Sequence, residues 1–218
     1  SNQKRKTMDN KIENDKYWID RKSNDSRQDW DYHSKSWIER YWLSVKHPHR
    51  DQIINELKKI EFKSLLEIGC NAGANIQRIR KEFKIDDGNL AGVDINLDSI
   101  LFVQKKLPDV LWKVQNAKYL PFRDKEYDIV LADAVLMYAD PTEAEKILFE
   151  IDRVAKKAII ICDWFSEQDE IKDGHWCRDY ELLLKEMGFD SYKVKIKKWP
   201  TKSGNWERNG YIFVAVRP

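Results

Sequence analysis

The sequence predicts an α/β fold: seven strands in one mostly parallel sheet, helices on both faces, a final antiparallel hairpin, and a helical extension at the N-terminus. Three observations predict it. From residue 63 onward, short apolar runs alternate with stretches whose apolar residues recur at helical spacing. The runs are almost continuously apolar, as strands covered on both faces must be. The last two runs have no helix between them, so they pair antiparallel at one end of the sheet.

The elements follow in chain order. Residues 1–15, SNQKRKTMDNKIEND, are polar and without periodicity and read as a disordered tail. Ser1 and Asn2 are left out of the fold argument. Residues 16–62 form the helical extension. Aromatics recur through its polar first half: Tyr17, Trp18, Trp30, Tyr32, Trp37, Tyr41 and Trp42. Trp37, Tyr41 and Val45 share helical spacing, as do Ile38 and Trp42. HPHRDQIINELKKI is an amphipathic helix, with Pro48 suited to a first turn and Ile53, Ile54, Leu57 and Ile60 on one face. Residues 63–218 then carry the sheet. SLLEIG, LAGVDI, VLWKVQ, YDIVLADAV, KAIIICDWF, YKVKIKKW and YIFVAV are its strands. ANIQRIRKEF, LDSILFVQKKL, PTEAEKILFEIDRV and CRDYELLLKEMGF are its helices, the last stopped by Gly188. PTKSGNWERNG is a turn-rich loop inside the final hairpin.

Composition bounds the function. Basic residues number 39 and acidic residues 37, a net charge of +2, so the basic excess of a nucleic-acid binder is missing and no such partner is expected. Cys70, Cys162 and Cys177 have neither zinc-site nor redox spacing, so no metal is expected, and their sparse, odd number points to a reducing compartment. The longest strongly apolar run, AIIIC, is far too short for a bilayer. A cytoplasmic protein without membrane association is the expectation.

The informative stretch is LLEIGCNAG, residues 65–73. An apolar strand ends in Glu67, and Gly69 and Gly73 then turn the chain into a helix beginning near Ala74. In open α/β sheets ligands sit at the carboxyl ends of the strands, where strand order reverses. Glycines let the backbone approach them, and the helix start presents N–H groups. The spacing Gly69-Cys70-Asn71-Ala72-Gly73 is not that of a dinucleotide fingerprint, and no Lys-Ser/Thr follows to make a phosphate loop. Glu67 would repel a phosphate but suits a cation. The next strand ends in Asp94, followed by Ile95; an acid there accepts ribose hydroxyls in nucleoside-binding folds. Asn116 and Ala117, after the third strand, suit an adenine edge. Asp133 ends the fourth strand.

In this order the features resemble the class I S-adenosylmethionine-dependent methyltransferases, over roughly residues 60–165. The resemblance implies a Rossmann-like fold, with Glu67 to Gly73 (including Gly69, Cys70 and Asn71) at the methionine end of the cofactor. It implies that Asp94 holds the ribose, that Asn116 and Ala117 meet the adenine, and that Asp133 lies beside the methyl group. Asn116 departs from the pattern, since many relatives carry an acid there. LLEIGCNAGANI, LPFRDKEYDIVLADAVLMY and EIDRVAKKAIIICDW also look like small methylases associated with nonulosonic (pseudaminic-type) sugar biosynthesis.

The catalytic candidates are Asp133, to orient an acceptor amine or hydroxyl, and His175, in the loop after the IIICDW strand. His47 and His49 flank Pro48 and read as surface residues. The Asp133-Ala134-Val135-Leu136 sequence lacks the proline pair of nucleic-acid amino-methylases. Trp30, Tyr32 and Trp37 are candidate walls of a lid formed by residues 16–45, and Arg40 is a candidate partner for the cofactor's carboxylate. Three functions follow: methylation of a small-molecule acceptor, such as a sugar or amino acid derivative; methylation of RNA or protein; or a cofactor-binding scaffold without catalysis.

Overall fold

The computed structural model describes residues 15–22, 36–199 and 204–218. Trp30 and Tyr32 therefore lie outside the described residues, as does most of the 1–15 tail.

Among the described residues the extension contributes three α-helices. Residues 15–20 form α1. α2 spans Trp37–Leu43 and begins with a reciprocal cap, in which Ser36 accepts from the Glu39 backbone and Glu39 accepts from that of Ser36. α3 spans Pro48–Leu57, with the proline at its first position, where a missing N–H costs nothing. The sheet region then runs β1 (Leu65–Ile68), α4 (Ala74–Phe83), β2 (Leu90–Asp94), α5 (Leu97–Lys106), β3 (Leu111–Val114), β4 (Tyr127–Asp133), α6 (Pro141–Val154) and β5 (Ala155–Trp164). It continues with β6 (Glu170–Lys172), β7 (His175–Cys177), α7 (Tyr180–Glu186), β8 (Asp190–Lys195), α8 (Asn205–Asn209) and β9 (Gly210–Val216).

Seven strands pair in the order β3-β2-β1-β4-β5-β9-β8. All pairs are parallel except β5–β9 and β8–β9. The expected fold class, including the closing hairpin, is what the chain forms. Two apolar layers sandwich the sheet. Ile147, Ile151, Val154 and Leu184 of α6 and α7 cover one face. Ile53, Leu57, Ile76, Ile79, Ile100 and Val103 of α3, α4 and α5 cover the other. Strand order reverses between β1 and β4, so the crevice lies at the carboxyl ends of those two strands.

Three local readings change. The segment after β5 is not a plain loop: β6 and β7 form a separate hairpin turning at Asp173-Gly174, both left-handed with φ of +47° and +77°. An Asp-Gly pair is a strong signal for this turn, and it was readable in the sequence. The helix expected from Cys177 starts only at Tyr180, capped by Asp179. Cys177 is held in β7, and the Arg178 side chain is drawn inward to the carbonyls of Leu136 and Ala139. Within PTKSGNWERNG, residues Asn205–Asn209 form α8.

Candidate functional site

The glycine turn is built as its residues require. Gly69 is left-handed at φ +63°, and a Cβ there would lie 2.4 Å from Cγ2 of Val135, so no other residue fits without displacement. Asn71 is also left-handed, a conformation asparagine tolerates better than most. Its N–H donates to Oδ2 of Asp94 at 2.8 Å, while the N–H of Asn96 donates to Oδ1 at 2.8 Å. The Asp94 carboxylate thus ties the turn after β1 to the turn after β2. Burial raises its pKa and these N–H groups oppose the rise. Cys70 contributes backbone to the turn, but its buried side chain belongs to the core beside Trp112, and burial pushes its thiol well up.

Glu67 is 2 % exposed. Its Oε1 accepts from Asn75 Nδ2 at 2.7 Å, while Oε2 meets no partner among the described residues. Burial pushes the carboxyl up to about 8. A buried carboxyl with one idle oxygen beside a glycine turn is costly unless something arrives to use it.

The adenine-side candidates are less committed. Asn116 uses its side-chain carbonyl to accept from the Lys118 N–H at 3.0 Å, a local turn. Ala117 packs against the core, and Ile95 is half-buried.

Asp133 is the centre of a second network. Its Oδ2 accepts from His49 Nε2 at 2.8 Å, Asn75 Nδ2 at 2.9 Å and Arg50 Nη1 at 3.0 Å, whereas Oδ1 has no partner among the described residues. Arg50 Nη1 also donates to Oδ1 of Asn75 at 2.7 Å, and its other nitrogens hold the Ser44 carbonyl and hydroxyl. Burial alone would raise the Asp133 carboxyl; His49 and the Arg50 guanidinium hold it far below the usual range instead. Asn75 therefore bridges the two carboxylates, Glu67 and Asp133.

The surface reading of His47 and His49 is corrected here. His49 is 3 % exposed, and His47 Nδ1 lies 2.5 Å from His49 Nδ1. Periodicity carried the signal. His49 and Arg50 stand four residues before Ile53 and Ile54, so the buried face of α3 runs back through them. Their partner on β4 had no such signal, being 84 residues from His49.

Aromatic rings continue from this network in an arc along the carboxyl edge. His47 and His49 pack on Trp199 at 4.5 and 4.4 Å, and Trp199 stacks on Trp206 at 4.2 Å. Trp206 meets Trp164, which meets His175 at 4.9 Å; His175 meets Tyr138 at 5.2 Å. Tyr138 meets Trp18, Trp18 meets Trp37, and Trp37 meets Tyr41. His175 thus sits in the arc, on β7, with Nδ1 donating to the Asp173 carbonyl. Asp163 supports the wall from behind, accepting from the N–H groups of Met137 and Trp164.

The described residues 15–22 are hydrogen-bonded to this edge and to α2. Asn96 Nδ2 donates to the carbonyls of Trp18 and Arg21, and Trp37 Nε1 donates to that of Lys22 at 2.8 Å. Trp37 is 1 % exposed and packs with Ala72 of the glycine turn. The cation brought in beside it is Arg21, 4.2 Å over the Trp37 ring. Arg40 is half-buried on α2, with no ion pair to another described residue.

His49, Asp133 and Cys162 place one donor atom each within 4.8 Å of one another. The group does not suit a metal. A guanidinium already occupies Oδ2 of Asp133, and burial keeps the Cys162 thiol protonated. Among the described residues no helix is long and apolar enough to cross a membrane.

Residues 65–158 match the family model described as a methyltransferase domain. An uncharacterised protein of Methanocaldococcus jannaschii is 27 % identical over 177 residues, 69 % of this chain and 80 % of that one. Among solved structures, the Haloferax volcanii complex between the Trm112 methyltransferase activator and a putative methyltransferase aligns at a TM-score of 0.65 and 17 % identity, covering 84 % of this chain and 94 % of its own. The magnesium protoporphyrin IX methyltransferase of Synechocystis, with bound S-adenosylmethionine, aligns at 0.61 and 16 % identity, covering 88 % and 87 %. The fold is that of these methyltransferases.

Proposed function

We propose that the chain is an S-adenosylmethionine-dependent methyltransferase acting on a small-molecule acceptor, of the sugar or amino acid derivative class. The observation that carries the cofactor is Glu67: a buried carboxyl with one unused oxygen, beside a glycine turn whose backbone a ligand can approach. The donor set fits the group. Glu67 and the Gly69–Gly73 backbone would hold its ammonium end. Asp94, already oriented by two N–H groups, would accept from its ribose. Asn116 and Ala117 would flank the adenine. When bound, the cofactor supplies an electrophilic methyl on sulfur. The chain's part is to hold the acceptor in line and keep water out.

The aromatic arc supports a small acceptor. It bounds the carboxyl edge near Asp133, from Trp199 and His47 at one end to Trp37 and Tyr41 at the other. An edge walled by rings gives a small molecule apolar faces to pack on, with Asp133 as a convergent polar group.

Two outcomes test this reading. Calorimetry should show binding of S-adenosylmethionine and its demethylated product, and Asp94→Ala should weaken both by about 1.5–3 kcal/mol through the lost ribose bonds. Unchanged affinity would remove Asp94 from the site, and no binding by the wild type would remove the function. Residues 16–45 are further proposed to act as a lid. Their amide exchange should slow when cofactor is added; exchange that is already slow and indifferent to ligand would make them static cover.

A further inference from the structure

The hydrogen-bond logic of the His47–His49–Asp133 line determines where each proton sits. The Asp133 carboxyl is held ionised, so it can only accept; Arg50 Nη1 also lies 3.2 Å from His49 Nε2, but its two hydrogens go to the nearer Asn75 Oδ1 and Asp133 Oδ2, so the hydrogen between Asp133 and His49 belongs to His49 Nε2. A neutral His49 then carries its lone pair on Nδ1. That atom faces His47 Nδ1, which must therefore be the donor. The lone pair of His47 falls on Nε2, which makes no hydrogen bond to another described residue. Three side chains from two distant parts of the chain thus present one basic nitrogen at the end of the aromatic arc, where His47 packs on Trp199.

We infer that His47 is the general base of this methyltransferase, with His49 and Asp133 as its positioning partners, and that the acceptor atom is a hydroxyl oxygen. The inference rests on the methyltransferase reading above. As the acceptor oxygen forms its bond to the methyl carbon, the carbon–sulfur bond breaks and its electron pair goes to sulfur. The hydroxyl proton passes to His47 Nε2. His47 can release its Nδ1 proton to His49 Nδ1, leaving the positive charge next to the Asp133 carboxylate. The proton returns to solvent after product leaves, so atoms and charge balance.

A base oriented by two partners selects an acceptor that must lose its proton as it reacts, as a hydroxyl must and a neutral amine need not. Burial and the neighbouring His49 and Arg50 push His47 down to about 3. Such an imidazole is neutral through the physiological range. It can take a proton from an oxygen nucleophile, because a protonated ether is a far stronger acid than an imidazolium. The charged and titratable groups around the two histidines are Arg50 and Asp51 from α3, Asp133 from β4 and Cys162 from β5.

Two measurements test the relay. In long-range proton–nitrogen spectra of the ligand-free, nitrogen-labelled protein, His49 should carry its hydrogen on Nε2 and His47 on Nδ1. A His49 ring protonated on Nδ1, or two rings titrating independently near the ordinary histidine value, overturns the inference. Separately, a panel of small alcohols, phenols and sugars beside primary and secondary amines is offered with radiolabelled S-adenosylmethionine. Oxygen methylation is expected, with kcat in His47→Gln reduced about 100-fold or more while KM and donor affinity stay near wild type. Methylation on nitrogen, or wild-type kcat in His47→Gln, overturns the relay alone. Failure of the wild type to bind the donor in calorimetry overturns the parent reading and the relay with it.

Discussion

Binding of S-adenosylmethionine is expected to expel a proton from Glu67 below about pH 8, and its affinity is expected to rise about tenfold per pH unit between roughly pH 6 and 8. The free protein holds the Glu67 carboxyl neutral up to about 8 because burial penalises its charge. An ammonium is best met by the ionised form, so below that pH the proton must leave as the cation arrives. Calorimetry in buffers of different ionisation enthalpy reads the proton directly, with the cofactor's own amine titration subtracted. Glu67→Gln should abolish the release and flatten the affinity. The same substitution should stabilise the ligand-free fold. A carboxyl whose folded pKa is raised contributes stability below its unfolded pKa and loses it as pH rises through the folded value. Near pH 8 the glutamine variant should therefore gain on the order of 2–4 kcal/mol. A wild type that binds without proton release from pH 6 to 8 would show that the ammonium does not meet Glu67.

Arg50→Ala is expected to cost about 3–5 kcal/mol of folding stability at neutral pH, the range for breaking one side of a buried ion pair. Arg50 holds Asp133, Asn75 and Ser44 at once, and its loss leaves the Asp133 carboxylate with a partly dismantled shell. The pH dependence has a definite sign. Asp133 has a depressed folded pKa, so its contribution is present above the unfolded carboxyl value and fades as pH falls below it. The deficit of the variant should accordingly be full at pH 7 and shrink below about pH 4. Denaturant unfolding at the two pH values measures it, and Arg50→Lys should recover only part of the loss because a lysine cannot span the same acceptors. A variant within 1 kcal/mol of wild type at pH 7 would show that Arg50 is not the clamp described.

Local chemistry was legible where neighbours in sequence are also neighbours in space. α4, Ala74–Phe83, and α6, Pro141–Val154, run as read, because glycine or proline starts and 3.6-residue periodicity are properties of a short stretch of chain. The glycine turn, Glu67 at the end of β1 and Asp94 at the end of β2 were equally local. So was the final hairpin, since two strands without a crossover helix can only pair antiparallel.

The tertiary structure alone decided which side chains meet. Nothing near Asp133 in the sequence marks the His49, Arg50 and Asn75 that surround it; they arrive from two helices, one of them outside the sheet region. The aromatic arc joins α2, the turn after β4, the end of β5, β7 and the segment around α8, and the stacked Trp199 and Trp206 were read apart, one at the end of a strand and the other in a loop. Nothing in the sequence singled out Asn96, yet its amide holds the carbonyls of Trp18 and Arg21 against the edge. The reason is physical. Periodicity reports which face of an element is buried, but the partner of a buried polar group is chosen by where the folded backbone brings a matching donor or acceptor, and that depends on strand order and on the placement of the helices.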